Sequence, residues 1–402
     1  MNRDFRLLLG AGLISLTGDW IMRVGLTYAV YALTGSTLAS AGALLASLLP
    51  QFALSSFAGV FVDRWERRRV MVVTNLLLAA GLLPLLAVHD RSHVWIVYLV
   101  TAVQSGLGQF FVAAEAAVIP RLVEERHLVA ANAFNGQARD VARLVGAAVG
   151  GLAAGLGGIP LLAVVDVVSF LSAAGLLLLI RQTTRAGERA GRPHVLREWA
   201  DGLRAAGAEP TLRVLLLFVV LTGTGEAIMG SLMAPFVRDV LHADAAAFGL
   251  IVAVQAGGGI AGGLAAAAVG SRVSPRRLVG YGALAFGALD LVLFLYPLVV
   301  DAWWPALVIM LVVGLPGAFM LAGLFTLFQT HSDDAYRGRI FGVFNAIEAA
   351  AMLVGALGAG VLGDRLGIVP VIAFQGVEYC LAGALVLLLL GSYRTATAEV
   401  RA

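Results

Sequence analysis

Apolar residues in this chain gather into long blocks separated by short polar turns. Such blocks occupy about 7–33, 38–62, 70–88, 93–118, 132–157 and 160–180, then about 211–236, 245–270, 278–298, 303–328, 339–363 and 369–391. A helix needs roughly 20 residues to cross a bilayer core about 30 Å thick, and each block is close to or above that length. Backbone that faces lipid must satisfy its hydrogen bonds internally, so the blocks are predicted to be helices. The pattern predicts an all-α integral membrane protein with twelve transmembrane helices in two pseudo-symmetric six-helix bundles. The longest polar interval contains Arg185, Arg189, Arg192, Pro193, Arg197, Glu198 and Arg204. It reads as a linker with a surface helix near 194–207. The expected organisation is a bundle over 1–180, a cytoplasmic linker over 181–210, and a bundle with a cytoplasmic tail over 211–402. Arg3 and Arg6 before the first block imitate a cleaved leader, but that block is too long and contains Asp19 and Arg23. It reads as a first membrane helix.

Composition agrees with the pattern. Of 402 residues, 60% are hydrophobic and 13% charged, against roughly 25% charged in an average soluble domain. The basic residues are all arginine, and the net charge is +3. Their distribution matters more than their sum. With the N-terminus inside, the inner loops collect Arg64, Arg67, Arg68, Arg69, Arg121, Arg126, Arg272, Arg276, Arg277, Arg337 and Arg339 as well as the linker arginines. The opposite side receives only Arg91, Arg238 and Arg365. By the positive-inside rule both termini are cytoplasmic, in a multi-pass protein of the cell (inner) membrane, and the basic charge serves topology rather than nucleic acid. Cys380 is the only cysteine, so no internal disulfide forms, and no Cys/His cluster suggests a metal. A chain without lysine contains no phosphate-binding GxxxxGK[ST] loop. No catalytic constellation appears. The chain is read as not an enzyme and as needing no cofactor.

The two series of blocks echo each other. Leu144-Val-Gly-Ala147 recurs as Leu353-Val-Gly-Ala356, 209 residues later, and Arg67-Arg68 recurs at that offset as Arg276-Arg277. Leu16-Thr-Gly18, before Asp19, has a counterpart in Leu221-Thr-Gly223, before Glu226. Parallel six-helix repeats fit this pattern.

Between the second and third blocks stands Gly59-Val-Phe-Val-Asp63-Arg64-Trp65-Glu66-Arg67-Arg68-Arg69. It resembles the GxxxDRxGRR signature of the major facilitator superfamily, with Glu66 where that family usually has glycine. The resemblance implies a conformational latch of Gly59, Asp63, Arg64, Arg67 and Arg68. In that latch Asp63 pairs near the N-terminal dipole of helix eleven. Simple anchoring at anionic lipid, by the positive-inside effect, covers Arg67 to Arg69. The second-half copy, Gly270-Ser-Arg272-Val-Ser-Pro-Arg276-Arg277, has no acid.

Charged residues inside the apolar blocks are the candidate working groups. Asp19 and Arg23 are four apart on one face of helix one. An ionised group at mid-bilayer costs about 2.5–3.5 kcal/mol, so both should face the bundle interior. Asp19 with Glu226 of helix seven forms the candidate proton-coupling pair, with Arg23 as countercharge or substrate contact; a packing salt bridge competes. Asn132, Asn135, Arg139 and Arg143 form a polar stripe on helix five, either a cavity entrance shared with Asp166 or an extension of the helix beyond the lipid. Gly146-Ala-Ala-Val-Gly150-Gly151 resembles the GPxxGG end of the exporters' antiporter motif, with Ala147 in place of proline. Its small residues, with Gly257-Gly-Gly259 and Gly262-Gly263, should bring helices five and eight close. Gly18-Asp19, Thr34-Gly-Ser36 and Asp166-Val-Val-Ser-Phe170 resemble the macrolide and siderophore efflux branch. Glu115 and Glu348 read as capping or water-reaching acids, and Asp290 and Glu378 as deeper acids without an evident partner.

These readings converge on a monomeric secondary transporter in the lipid bilayer. The resemblance implies alternating-access export of an amphipathic small-molecule substrate (a drug, siderophore or secreted metabolite), with protons as coupling ion. An importer or uniporter, and a non-transporting sensor of the same fold, are the alternatives.

Overall fold

The computed structural model describes residues 3–62, 65–124, 127–181, 203–204, 206–269, 272–332 and 337–399. Asp63, Arg64, Gly270 and most of the expected linker lie outside them. The described residues form helices and short turns, with no strand among them. The first four long helices are α1 (Arg3–Thr34), α2 (Thr37–Val62), α3 (Arg67–Leu82) and α4 (Val94–Leu122). A helical stretch then runs Leu128–Leu178, 51 residues. Continuous, it would measure about 76 Å, more than twice the bilayer core. Gly158 breaks it with φ 59° and ψ −153°, a backbone state open essentially to glycine. The break yields α5 (128–157) and α6 (159–178). The remainder are α7 (Pro210–Pro235), α8 (Ala245–Val269), α9 (Pro275–Leu295), α10 (Trp304–His331), α11 (Arg337–Leu366) and α12 (Ile368–Glu399). Among the described residues, eleven helical stretches are long and apolar enough to cross a membrane, and the turn at Gly158 makes twelve passes of them.

Helix starts follow local chemistry. The Glu209 carboxylate accepts the Leu212 N–H at 2.9 Å with Pro210 in the first turn of α7. Asp244 does the same for Ala247 at 2.8 Å before α8. The short connections repeat as the helices do. Positive φ occurs at Gly35 after α1, at His242 after α7, at Gly158 after α5 and at Gly367 after α11. The last two are separated by the 209-residue offset, and the first two by a spacing two residues shorter.

The chain divides into two compact units: Met1–Ala190 with Ala243–Ala253, and Gly191–His242 with Val254–Ala402. In the first, α1 packs on the α5–α6 pair, α2 on α4, and α3 on α4 and the α5–α6 pair. In the second, α7 packs on α11 and α12, and α9 on α10 and α12. There α8 meets α10, where Gly258 lies against Leu311 and Gly262 against Leu315. That corrects the expected role of these two glycines, which were placed between helices five and eight. Within the first unit, Gly249 at the start of α8 faces Gly151 of α5.

The first unit holds two apolar clusters. One gathers Phe5, Leu8, Met71, Val118 and Leu177, toward the end where the chain begins; the other gathers Val30, Leu82, Val97 and Leu162 toward the opposite end. Buried Asn75, Glu115, Asp166 and Ser169 lie on α3, α4 and α6 within this unit. The open end of α6 is clasped twice. Arg68 donates to the Leu177 and Leu178 carbonyls at 3.1 and 2.5 Å, and the Arg181 N–H donates to Asp4 at 3.1 Å. The Arg68 contacts serve carbonyls of the last helical turn, where an α-helix leaves its C=O groups without i+4 partners. In the second unit Arg276 donates to the Leu387 carbonyl of α12. Arg276 thus takes the part of Arg68, one residue from the register suggested by the Arg-Arg repeat.

Candidate functional site

In the first unit α1 has two faces. Gly18, Ile21, Met22, Gly25 and Ala29 are buried, whereas Asp19 and Arg23 are exposed one turn apart. Glycine on the inner face allows close packing. A Cβ at Gly150 of α5 would come within 2.5 Å of the Ile21 carbonyl oxygen, and one at Gly146 within 2.5 Å of Trp20 Cβ. On the outer face, Arg23 acts electrostatically on Asp19. Its guanidinium lies 5.2 Å from the centre of the Trp20 ring, and Arg143 of α5 lies 5.4 Å from the same ring. Both distances suit cation–π attraction. The structure therefore joins Arg23 and Arg143 on one indole that sequence reasoning did not single out, with Asp19 beside Arg23.

Arg139 lies elsewhere, whereas Asp166 lies on the buried side of α1, where Asp19 acts on it electrostatically. Asp166 is 2% exposed, accepts a hydrogen bond from Ser169 at 2.9 Å, and sits against Gly18. Counted from the turn at Gly158, it is roughly 16 Å from the level of Arg139 along the helices. A groove of about 390 Å³ beside it is lined by Leu13, Thr17, Gly18, Val145, Val168 and Ser169. Arg139 instead pairs at 3.3 Å with Glu115, whose side chain is only 3% exposed. Glu115 is thus a buried group held across α4 and α5, not the water-reaching acid its sequence position suggested.

The second unit builds a counterpart from different residues. Gly225 of α7 packs against Gln375, Glu378 and Tyr379 of α12, as Gly18 packs against Asp166 and Ser169 of α6. Gln375 and Glu378 follow Asp166 and Ser169 at the 209-residue offset. Gly18-Asp19 therefore corresponds to Gly225-Glu226, and the register suggested by the two Leu-Thr-Gly sequences is two residues out. Glu226 is exposed, as Asp19 is. The Tyr379 hydroxyl lies 3.5 Å from its carboxylate. Behind them Asp290 of α9 is 0% exposed and accepts a hydrogen bond from Gln375 at 2.9 Å. Glu378 accepts one from Thr224 at 2.7 Å. Among the described residues, the charged groups acting on Asp290, Glu348 and Tyr379 are all acids. Asp290 and Glu378 thus have partners after all, and the repeat offset that pairs Asp166 with Gln375 was the available signal.

Of the glycine motif, Gly146 and Gly150 face α1, and Gly151 faces Ala245 and Gly249. Of the latch residues, Gly59 falls in α2 and Arg67 is 6% exposed at the start of α3. Arg68 grips α6, and Arg69 pairs with Glu66 at 2.7 Å.

Comparison with known proteins agrees with this architecture. A family profile described as transmembrane secretion effector matches residues 1–400. Macrolide efflux protein A of Streptococcus pyogenes is 24% identical over 359 residues, spanning 88% of both chains. The multidrug efflux pump Tap of Mycobacterium tuberculosis is 28% identical over 379 residues, spanning 90% of this chain and 87% of Tap. The crystal structure of a bacterial homologue of the iron transporter ferroportin, inward-facing, matches with a TM-score of 0.76 at 16% identity. It covers 96% of this chain and 98% of that one, a likeness of fold alone. With a family match over nearly its whole length and twelve helical passes to carry it, the chain belongs to the transmembrane secretion effector family of the major facilitator superfamily, as a multi-pass membrane transporter and not an enzyme.

Proposed function

We propose that this transporter exports an amphipathic organic solute from the cell by alternating access, with inward proton flow as the driving force. The observation that carries the reading is the equivalence of Asp19 and Glu226. Each is an exposed carboxylate within a membrane helix, directly after a glycine seated on the last helix of its bundle. Holding an ionised acid at that depth costs about 2.5–3.5 kcal/mol, a price with no return in a passive scaffold. A carboxylate that takes and releases protons as its surroundings open and close turns the same placement into coupling. The macrolide and multidrug efflux relatives support export as the direction. The arginine distribution supports cytoplasmic termini in the inner membrane. In this reading the chain works as a monomer, bundles 1–180 and 211–402, joined by the 181–210 linker, rock against one another, and Asp63 serves as the latch.

The test uses purified protein in proteoliposomes, after an accumulation screen in expressing and deleted cells has supplied a transported solute. Asp19→Asn and Glu226→Gln should each abolish pH-gradient-driven uphill transport while leaving exchange of solute across the membrane. Undiminished uphill transport in both variants overturns proton coupling by these residues. Solute movement that ignores the proton gradient in the unmodified protein favours a uniporter.

A further inference from the structure

The second unit contains a buried pair that the coupling residues do not use. Asp290 Oδ2 accepts the Gln375 Nε2 hydrogen bond, but Asp290 Oδ1 has no hydrogen-bond partner. Gln375 is also 0% exposed, and its Oε1 has none either, although its amide nitrogen additionally lies 3.4 Å from Met229 Sδ. Two unmet acceptors thus sit on two side chains already joined by one hydrogen bond. Leaving a buried polar group unmet is unfavourable, and leaving a buried charge unpaired more so. Among the described residues, no cation acts on Asp290. Facing the cluster are Glu226 from α7, Glu348 from α11, and Glu378, Tyr379 and Cys380 from α12. From α10 come Ile309, Val313 and Met320, which pack with Phe286 of α9. Among the described residues no three His, Cys, Asp or Glu gather in a way that holds a metal ion.

One proton resolves the arrangement. Bound at Asp290 Oδ1, it removes the charge and makes that oxygen a donor for the neighbouring amide oxygen. We propose that Asp290 and Gln375 form a buried proton-binding site in the second unit, the acid proton being shared with the Gln375 carbonyl. The first unit has Asp166 of α6 at the place Gln375 takes in the second, where a further buried acid, Asp290, lies on α9. The role of this site in transport rests on the proton-coupled reading, whereas its occupancy does not.

Infrared difference spectroscopy on the full chain in liposomes, titrated through the neutral range, tests the site without any solute. A protonated-carboxyl C=O band should be present, vanish in Asp290→Asn and shift in Gln375→Leu. Asp290→Asn should unfold at the temperature of the unmodified protein, because the amide keeps the Gln375 hydrogen bond. A band that survives Asp290→Asn, or an Asp290 that contributes only carboxylate bands, overturns the site. If pH-gradient-driven transport proves absent, the infrared result still decides whether Asp290 holds the proton.

Discussion

Glu115 is nearly inaccessible within α4, and Arg139 of α5 reaches it from a half-exposed position. Such a pair is asymmetric: losing the cation strands a buried acid, whereas losing both charges strands nothing. Arg139→Leu should therefore destabilise the protein by about 2 kcal/mol, and Glu115→Gln combined with Arg139→Leu should recover part of it. Thermal unfolding of the three proteins in one detergent measures this. Single intruders such as Asp19, Arg23 and Glu226 were legible in the sequence, because an ionisable group interrupts an apolar block visibly. Their partners were not. Glu115 and Arg139 are 24 residues apart, and Asp290 and Gln375 are 85 apart. Which of them meet depends on the rotation of each helix about its axis, and blocks this uniformly apolar carry little trace of that rotation.

Among the helices, the apolar blocks mark bilayer crossings better than helix ends. Helix seven was expected over 211–236 and runs Pro210–Pro235, fixed by the proline and its Glu209 cap. Helix twelve was expected to stop at 391 and continues to Glu399, since a helix leaving lipid need not unwind where polarity begins. The α5–α6 turn was readable as a boundary between blocks, but its mechanism rests on one glycine conformation. Small residues were legible as packing surfaces, yet not as to which neighbour they meet. Gly150 makes the point, since a Cβ there meets Ile21 backbone that cannot swing aside. Gly150→Leu should force α1 from α5 and lower stability by about 1–3 kcal/mol. Gly136→Leu, where a Cβ meets nothing within 4 Å, should leave it nearly unchanged. Unfolding temperatures of the two variants decide the contrast.

Across the molecule, the internal repeat was visible in short sequence matches, but its register came from packing. Gly18 with Gly225, Asp166 with Gln375, and Arg68 with Arg276 are equivalent by what they touch. The two arginine clasps lie in separate units, so their losses should be independent. Arg68→Ala and Arg276→Ala should lower stability additively to within about 0.5 kcal/mol, measured by unfolding of both single variants and the double. A larger departure would show that the clasps are coupled.

The clasp on α6 also has a consequence in time. Arg68 and Asp4 hold groups at 177–181, so the first bundle cannot fasten until its last helix has been synthesised. The matching clasp needs Leu387, and at about 5–20 residues per second it becomes available roughly 10–40 s later. Throughout that interval a fastened first bundle waits in the membrane for its sister, and the ribosome, not the fold, sets the length of the wait.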